Sequence, residues 1–218
     1  GVLLPVWKIP LELPKYRIAN GRTASLQLEW LAENTNSPRD FFSNDPEREE
    51  VQKVQHELLR KLIEDEDLLR HFMDPKTKIE GFIILDHLGF VINGNRRLCA
   101  WRELVNDKPI EYSRYKYITA VVLPIADDRA IDKLEGRLQI EPDIKSDYKW
   151  HALANMILDR MTKHKLDEKT VADFYGLTVA EVRENIEKRS YAEEYLRSRN
   201  REGQWSFVTD KDWAFRQL

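Results

Sequence analysis

Cysteine is almost missing: Cys99 is the only one in 218 residues. That excludes an internal disulfide and any cysteine-rich zinc site. No apolar run approaches the ~18 residues a membrane span requires. No signal-peptide pattern opens the chain, so a cytoplasmic protein without a membrane partner is expected. An excess of basic charge is also lacking. The formal net charge is −3, so contacts to nucleic acid would have to come from local patches. The five histidines are scattered, with no pair at i, i+4 on one helix face, and no metal site is expected from the protein alone. Internal repeats and low-complexity segments are absent too. The remaining balance, 42% apolar and 33% charged residues, is that of a folded chain with one large domain or two small ones.

The most informative stretch is GFVINGNRRLCAWREL, residues 89–104. Phe90, Val91 and Ile92 read as a short buried strand, and Asn93-Gly94 as a turn that tolerates positive φ. From Asn95 the pattern becomes helical, with Leu98, Trp101 and Leu104 or Val105 on one face and Asn95 placed as the cap. Arg96 and Arg97 then fall on the first helical turn, where the helix dipole disfavours cations and free N–H groups favour an anion. Strand, glycine turn, helix and two guanidiniums predict a phosphate cradle.

Upstream, 6–11 reads as a strand, at an edge because Pro10 lacks a donor. A loop over 13–23 carries Arg17 and Arg22 around Asn20-Gly21, and 25–32 is a short helix. Asp45-Pro46 opens a long helix with Val51, Val54, Leu58, Leu59 and Leu62 inward, followed by a second piece over 65–73. Residues 82–85 pair with 90–92 as a hairpin, with Asp86 in the turn. Strand 117–123 and helix 126–138 follow, with Ile131 and Leu134 on the helix's buried side. Beyond Pro142 the pattern is all helix. Trp150, Leu153, Ala154, Ile157, Leu158 and Met161 form an apolar stripe. Ala172, Gly176 and Val182 then have the spacing of a helix-turn-helix, its second helix expected over 179–188 and capped by Thr178 with Glu181 completing a capping box.

Gly94, Arg96, Arg97 and Ala100 match a G-x-R-R-x-x-A box, preceded by a D-x-x-G-x-x-I-x-G frame at Asp86, Gly89, Ile92 and Gly94. With the helix-turn-helix, these residues resemble the ParB family. The resemblance implies an α+β fold: a ParB/sulfiredoxin-like small mixed sheet with helices over 1–145, with a helical insertion near 45–74. An all-α domain over 146–218 would follow, its helix-turn-helix at 168–189. It also implies a nucleoside triphosphate, CTP in the partition proteins, bound with Mg²⁺ by Asn93, Gly94, Asn95, Arg96, Arg97 and Ala100. Arg17 or Arg22 would represent the family's early arginine. The second family box, E-N-x-Q-R, is matched only by Glu135 in first place, with Gly136, Leu138 and Gln139 replacing the rest. Glu135 and Gln139 are therefore read either as nucleotide contacts or as an ordinary exposed helix face. Asn95 stands where the sulfiredoxin branch requires cysteine, so peroxide-repair chemistry is not expected.

The function so implied is a nucleotide-dependent DNA-binding protein, with a homodimer among its candidate assemblies. The alternatives are a nuclease or NTP hydrolase on the same scaffold, with Glu135 or Asp86 handling Mg²⁺ or water, and a protein-interaction adaptor. Asp86 is otherwise a turn-former. Candidate DNA contacts are Arg183 and Lys188 on the second helix of the helix-turn-helix, and Arg197, Arg199 and Arg201 beyond it. The same helix carries Glu181, Glu184 and Glu187, which phosphates would repel. A basic face on the helical domain would favour DNA, an acidic one an adaptor.

Overall fold

The structure, a computed structural model, describes residues 3–65, 68–77, 81–140 and 149–215. The chain is α+β. In order it forms β1 (Val6–Pro10), β2 (Lys15–Tyr16), α1 (Ala24–Glu33), α2 (Phe41–Asn44), α3 (Glu49–Asp65), α4 (Leu68–Met73), β3 (Ile83–Leu85), β4 (Phe90–Asn93), α5 (Asn95–Asp107) and β5 (Tyr117–Val122). Then come α6 (Asp128–Ile140), α7 (Trp150–His164), α8 (Glu168–Tyr175), α9 (Val179–Ser198) and α10 (Asp212–Phe215), with 3-10 turns at Ser113–Tyr115 and Trp205–Val208.

Two compact units interleave along the sequence: Gly1–Ile18 with Asp45–Ile131, and Ala19–Asn44 with Asp132–Leu218. The expected halves, 1–145 and 146–218, run consecutively instead. Buried polar contacts account for the difference. Ser25 of α1 accepts a hydrogen bond from Asn155 Nδ2 of α7 (3.0 Å), and its Oγ lies 3.0 Å from His151 Nδ1. Detaching α1 from the C-terminal helices would strand these polar groups in an apolar interior.

In the first unit the strands form one mixed sheet in the order β1-β5-β3-β4-β2. β1 with β5 and β3 with β4 are antiparallel; β3 with β5 and β2 with β4 are parallel. The period-two alternation of β5 buries Ile118 and Ala120, so Ile83, Leu85, Val91, Ile118 and Ala120 share a core with Leu59, Ile63, Phe72, Leu98 and Trp101. Both sheet edges are blocked. Leu11 N–H donates to Lys116 O (3.0 Å), which sets the hydrogen-bonding phase of β1 so that the Pro10 nitrogen faces outward, where no donor is needed. At the other edge Gln52 of α3 imitates a strand: its Oε1 accepts the Tyr16 N–H (2.8 Å) and its Nε2 donates to Tyr16 O (2.9 Å).

The second unit is helical. Met156, Ile157, Val171, Ala172, Phe174 and Val182 form one cluster. Ala192 and Leu196 pack on Trp205, Val208 and Phe215 in another. That second cluster explains why α9 continues to Ser198 rather than ending near 188: its apolar stripe continues, and no proline or glycine interrupts it. Among the described residues no helix is long and apolar enough to cross a membrane.

Candidate phosphate site and helix-turn-helix

The hairpin β3–β4 delivers the chain to α5. Asp86 fixes its turn, Oδ1 accepting the N–H groups of Leu88 (2.9 Å) and Phe90 (2.8 Å). The carboxylate is thus committed to the hairpin, in keeping with its turn-forming reading. At the far end of β4, Gly94 adopts φ 110° and is itself the N-cap of α5. A Cβ there would lie 2.3 Å from Ile83 Cδ1 and 3.3 Å from Arg97 Nη2, so glycine is required both for conformation and for space.

The cap corrects one expectation. Asn95 is the first helical residue and is buried, and no side-chain cap bond is present. Its Nδ2 donates to Val91 O (2.9 Å), and its Oδ1 accepts the Arg17 N–H (3.3 Å). The side chain therefore ties β4 and the Arg17 segment to the helix start. The first intrahelical bond is Leu98 N–H to Gly94 O (2.9 Å), so the N–H groups of Asn95, Arg96 and Arg97 precede the helical ladder. Arg96 is half-buried. Arg97 folds back over the turn, Nη2 donating to Phe82 O (3.2 Å) and Asn93 Oδ1 (3.3 Å). Ala100 is buried in the core and serves packing.

The first unit thus brings together Arg17, Asn93, Gly94, Asn95, Arg96 and Arg97. The other early arginine, Arg22, belongs to the second unit, where its N–H donates to Asn20 Oδ1 (3.0 Å). Glu135 also belongs to the second unit, and the reading of it as exposed is corrected: it is 1% exposed and bonds Arg160 Nη2 (3.2 Å). The Gln139 side chain lies outside the described residues.

Further along α5, Cys99 is fully buried. Its Sγ is 3.7 Å from His56 Nδ1, while Tyr16 Oη approaches the same nitrogen to 2.7 Å and Glu103 Oε1 lies 2.8 Å from His56 Nε2. The constellation resembles a thiol relay in outline only. Burial, then the nearby Glu103 charge, pushes the thiol up to about 12, the opposite of nucleophile activation. In the native protein Cys99 is expected to alkylate only at the rate of unfolding, measured with iodoacetamide against the denatured chain. Rapid native labelling would contradict this assignment.

Two helices joined by a tight turn occupy residues 168–198, the second longer than expected. Asp167 caps α8 through the Thr170 N–H. Gly176 turns the chain at φ 60°, and Thr178 with Glu181 makes the full capping box on α9. Ala172 and Val182 are buried at the crossing. The surface is another matter. Glu181, Glu184 and Glu187 are exposed. Arg183, also exposed, lies 2.7 Å from Glu168. Lys188 is corrected as a DNA contact: it is 4% exposed and held by Asp212 (2.8 Å) and Glu184 (3.6 Å). By contrast Arg197, Arg199 and Arg201 are exposed. Arg199 lies over the Tyr195 ring (5.6 Å) and Arg201 over the Phe207 ring (3.6 Å).

Sequence reasoning missed a buried polar system in the second unit. Arg160 Nη1 lies 3.0 Å from Asp132 Oδ2, which also receives His164 Nε2 at 2.6 Å. Arg160 Nη2 also donates to Ala19 O (3.2 Å). His151, Asn155 and Ser25 form the second polar contact set described above. The available signal was the spacing of His151 and Asn155, i and i+4 beside the apolar stripe of α7. Among the described residues no group of three or more His, Cys, Asp or Glu side chains is arranged to hold a metal ion. No protein-family model, curated protein or solved structure matches the chain.

Proposed function

We propose that this is a cytoplasmic, nucleotide-dependent DNA-binding protein of the ParB-like kind, holding the phosphates of a nucleoside triphosphate at residues 93–97. One observation carries the reading: a left-handed glycine with no room for a Cβ opens a helix whose first turn bears two arginines. Backbone N–H groups and the positive end of the dipole favour an anion there, and two guanidiniums match phosphate geometry. Arg17, joined to Asn95 through its backbone, stands beside them. Mg²⁺ enters with the phosphates in this reading, because Asp86 spends Oδ1 on the hairpin turn. CTP is the nucleotide that the ParB resemblance implies. In the helical unit, Arg197, Arg199 and Arg201 are the residues for DNA.

Arg97→Ala is expected to weaken nucleotide binding by about 1.5–3 kcal/mol, the worth of a charge-assisted contact, while the nucleotide-free protein melts within a few degrees of the parent. Equilibrium dialysis and thermal melting together decide it. Unchanged binding, or collapse of the nucleotide-free variant, would make Arg97 a purely structural residue.

A second reading, a protein-interaction adaptor, is favoured by the acidic exposed face of α9 and by Arg183 being occupied with Glu168. It forecasts no DNA affinity at any salt concentration.

A further inference from the structure

The end of α9 offers two matched units. Arg199 lies over the ring of Tyr195 and Arg201 over that of Phe207, and the rings remain 37% and 42% exposed. Arg201 is oriented further by Gln204, whose Oε1 accepts from Nη1 (3.3 Å). The chain between the arginines turns at Asn200, φ 54°, and Arg201 N–H donates back to Leu196 O (2.9 Å), so the turn carrying them is tied to the helix. Trp213, 67% exposed, stands on α10, which packs on α9.

A guanidinium backed by an aromatic ring is held flat at reduced entropic cost and presents its outer plane and edge N–H groups. Flat cationic planes beside exposed rings are the elements that hold unstacked bases and phosphates together. A duplex can offer them only its phosphates, because its base faces are hidden in the stack. Nor does the helix-turn-helix suit a duplex: Glu181, Glu184 and Glu187 line the helix that would enter the major groove. We infer that the arginine–aromatic surface formed by Tyr195, Arg199, Arg201 and Phe207 binds single-stranded nucleic acid in preference to duplex. The inference rests on the nucleic-acid part of the function proposed above and names the strand state that it takes.

The test is fluorescence anisotropy of the full chain with labelled oligo(dT) of about 15 nucleotides, near the upper site size for such surfaces, and with a duplex of equal length. The single strand is expected to bind at least about tenfold more tightly, with stacking supplying the difference. Arg199→Lys with Arg201→Lys keeps charge and leaves the core untouched. It is expected to weaken the single strand about tenfold or more while leaving the salt slope unchanged. Arg199→Ala with Arg201→Ala is expected to weaken it further and to lower the log–log salt slope by about 1.4. Duplex bound as tightly as the single strand, or a lysine variant that binds like the parent, overturns the inference while leaving DNA binding standing. Binding of neither form overturns both.

Discussion

Arg160→Ala is expected to destabilise the helical unit by about 3–5 kcal/mol, the cost of taking one charged member out of a buried ionic cluster. Arg160 is 3% exposed and lies between Asp132 (3.0 Å) and Glu135 (3.2 Å), both fully buried carboxylates of α6. The same guanidinium satisfies Ala19 O, so one side chain of α7 fixes both α6 and the segment leading into α1. With it removed, His164 and Lys163 still reach Asp132. Replacing Asp132 and Glu135 with leucine together with Arg160→Met removes the charges as a set and is expected to cost far less than the single substitution, because well-packed apolar groups often replace a buried ionic cluster at little loss. Urea unfolding of the three proteins measures the difference. A single substitution costing under about 1 kcal/mol would place the cluster among exposed ion pairs.

Acid should weaken the same unit through His151. Its imidazole is 4% exposed and lies between Ser25 Oγ (3.0 Å) and Thr209 Oγ1 (3.1 Å), stacked against Trp205. Burial first, and the Lys149 charge second, lower its pKa from 6.5 to about 4. The unfolded chain therefore takes up a proton near pH 6.5 that the folded chain accepts only near 4. The stabilisation is complete above the higher value and is lost as pH falls through this window. The gap of 6.5 minus 4 corresponds to about 3 kcal/mol at 1.36 kcal/mol per pKa step. Urea midpoints at about pH 7 and about pH 4.5 should show most of that loss in the parent and much less in His151→Gln. Equal losses in both proteins would assign the acid sensitivity to other groups.

What was legible in the sequence were features governed by local chemistry. The β3–β4 hairpin, the turn-forming role of Asp86, the capping box at Thr178 and the edge position of β1 each depend on residues a few positions apart, and each is present. Core faces of α5 and α7 followed from apolar spacing for the same reason. Long-range polar pairing was not legible. Glu135 looked like an exposed helical residue because nothing nearby announces Arg160, 25 positions later. Lys188 looked available because Asp212 lies 24 positions later in the chain. The interleaving of the units has the same origin, since Ser25 meets His151 and Asn155 across more than a hundred residues. At the turn over residues 93–97, the glycine and the arginines were legible from the strand-to-helix transition. The use of the Asn95 side chain to anchor Arg17 was not, because a cap and a buried first-turn staple have the same local sequence.

The proposed function requires that the turn at residues 93–97 bind a nucleoside triphosphate. Isothermal titration calorimetry with CTP, ATP, GTP and UTP, each with and without Mg²⁺, tests it most directly. A saturable one-site isotherm is expected for at least one of them, strengthened by Mg²⁺ and abolished in an Arg96→Ala, Arg97→Ala variant that still melts as a folded protein. Absence of saturable heat for all four, or an isotherm unchanged in that variant, would contradict it.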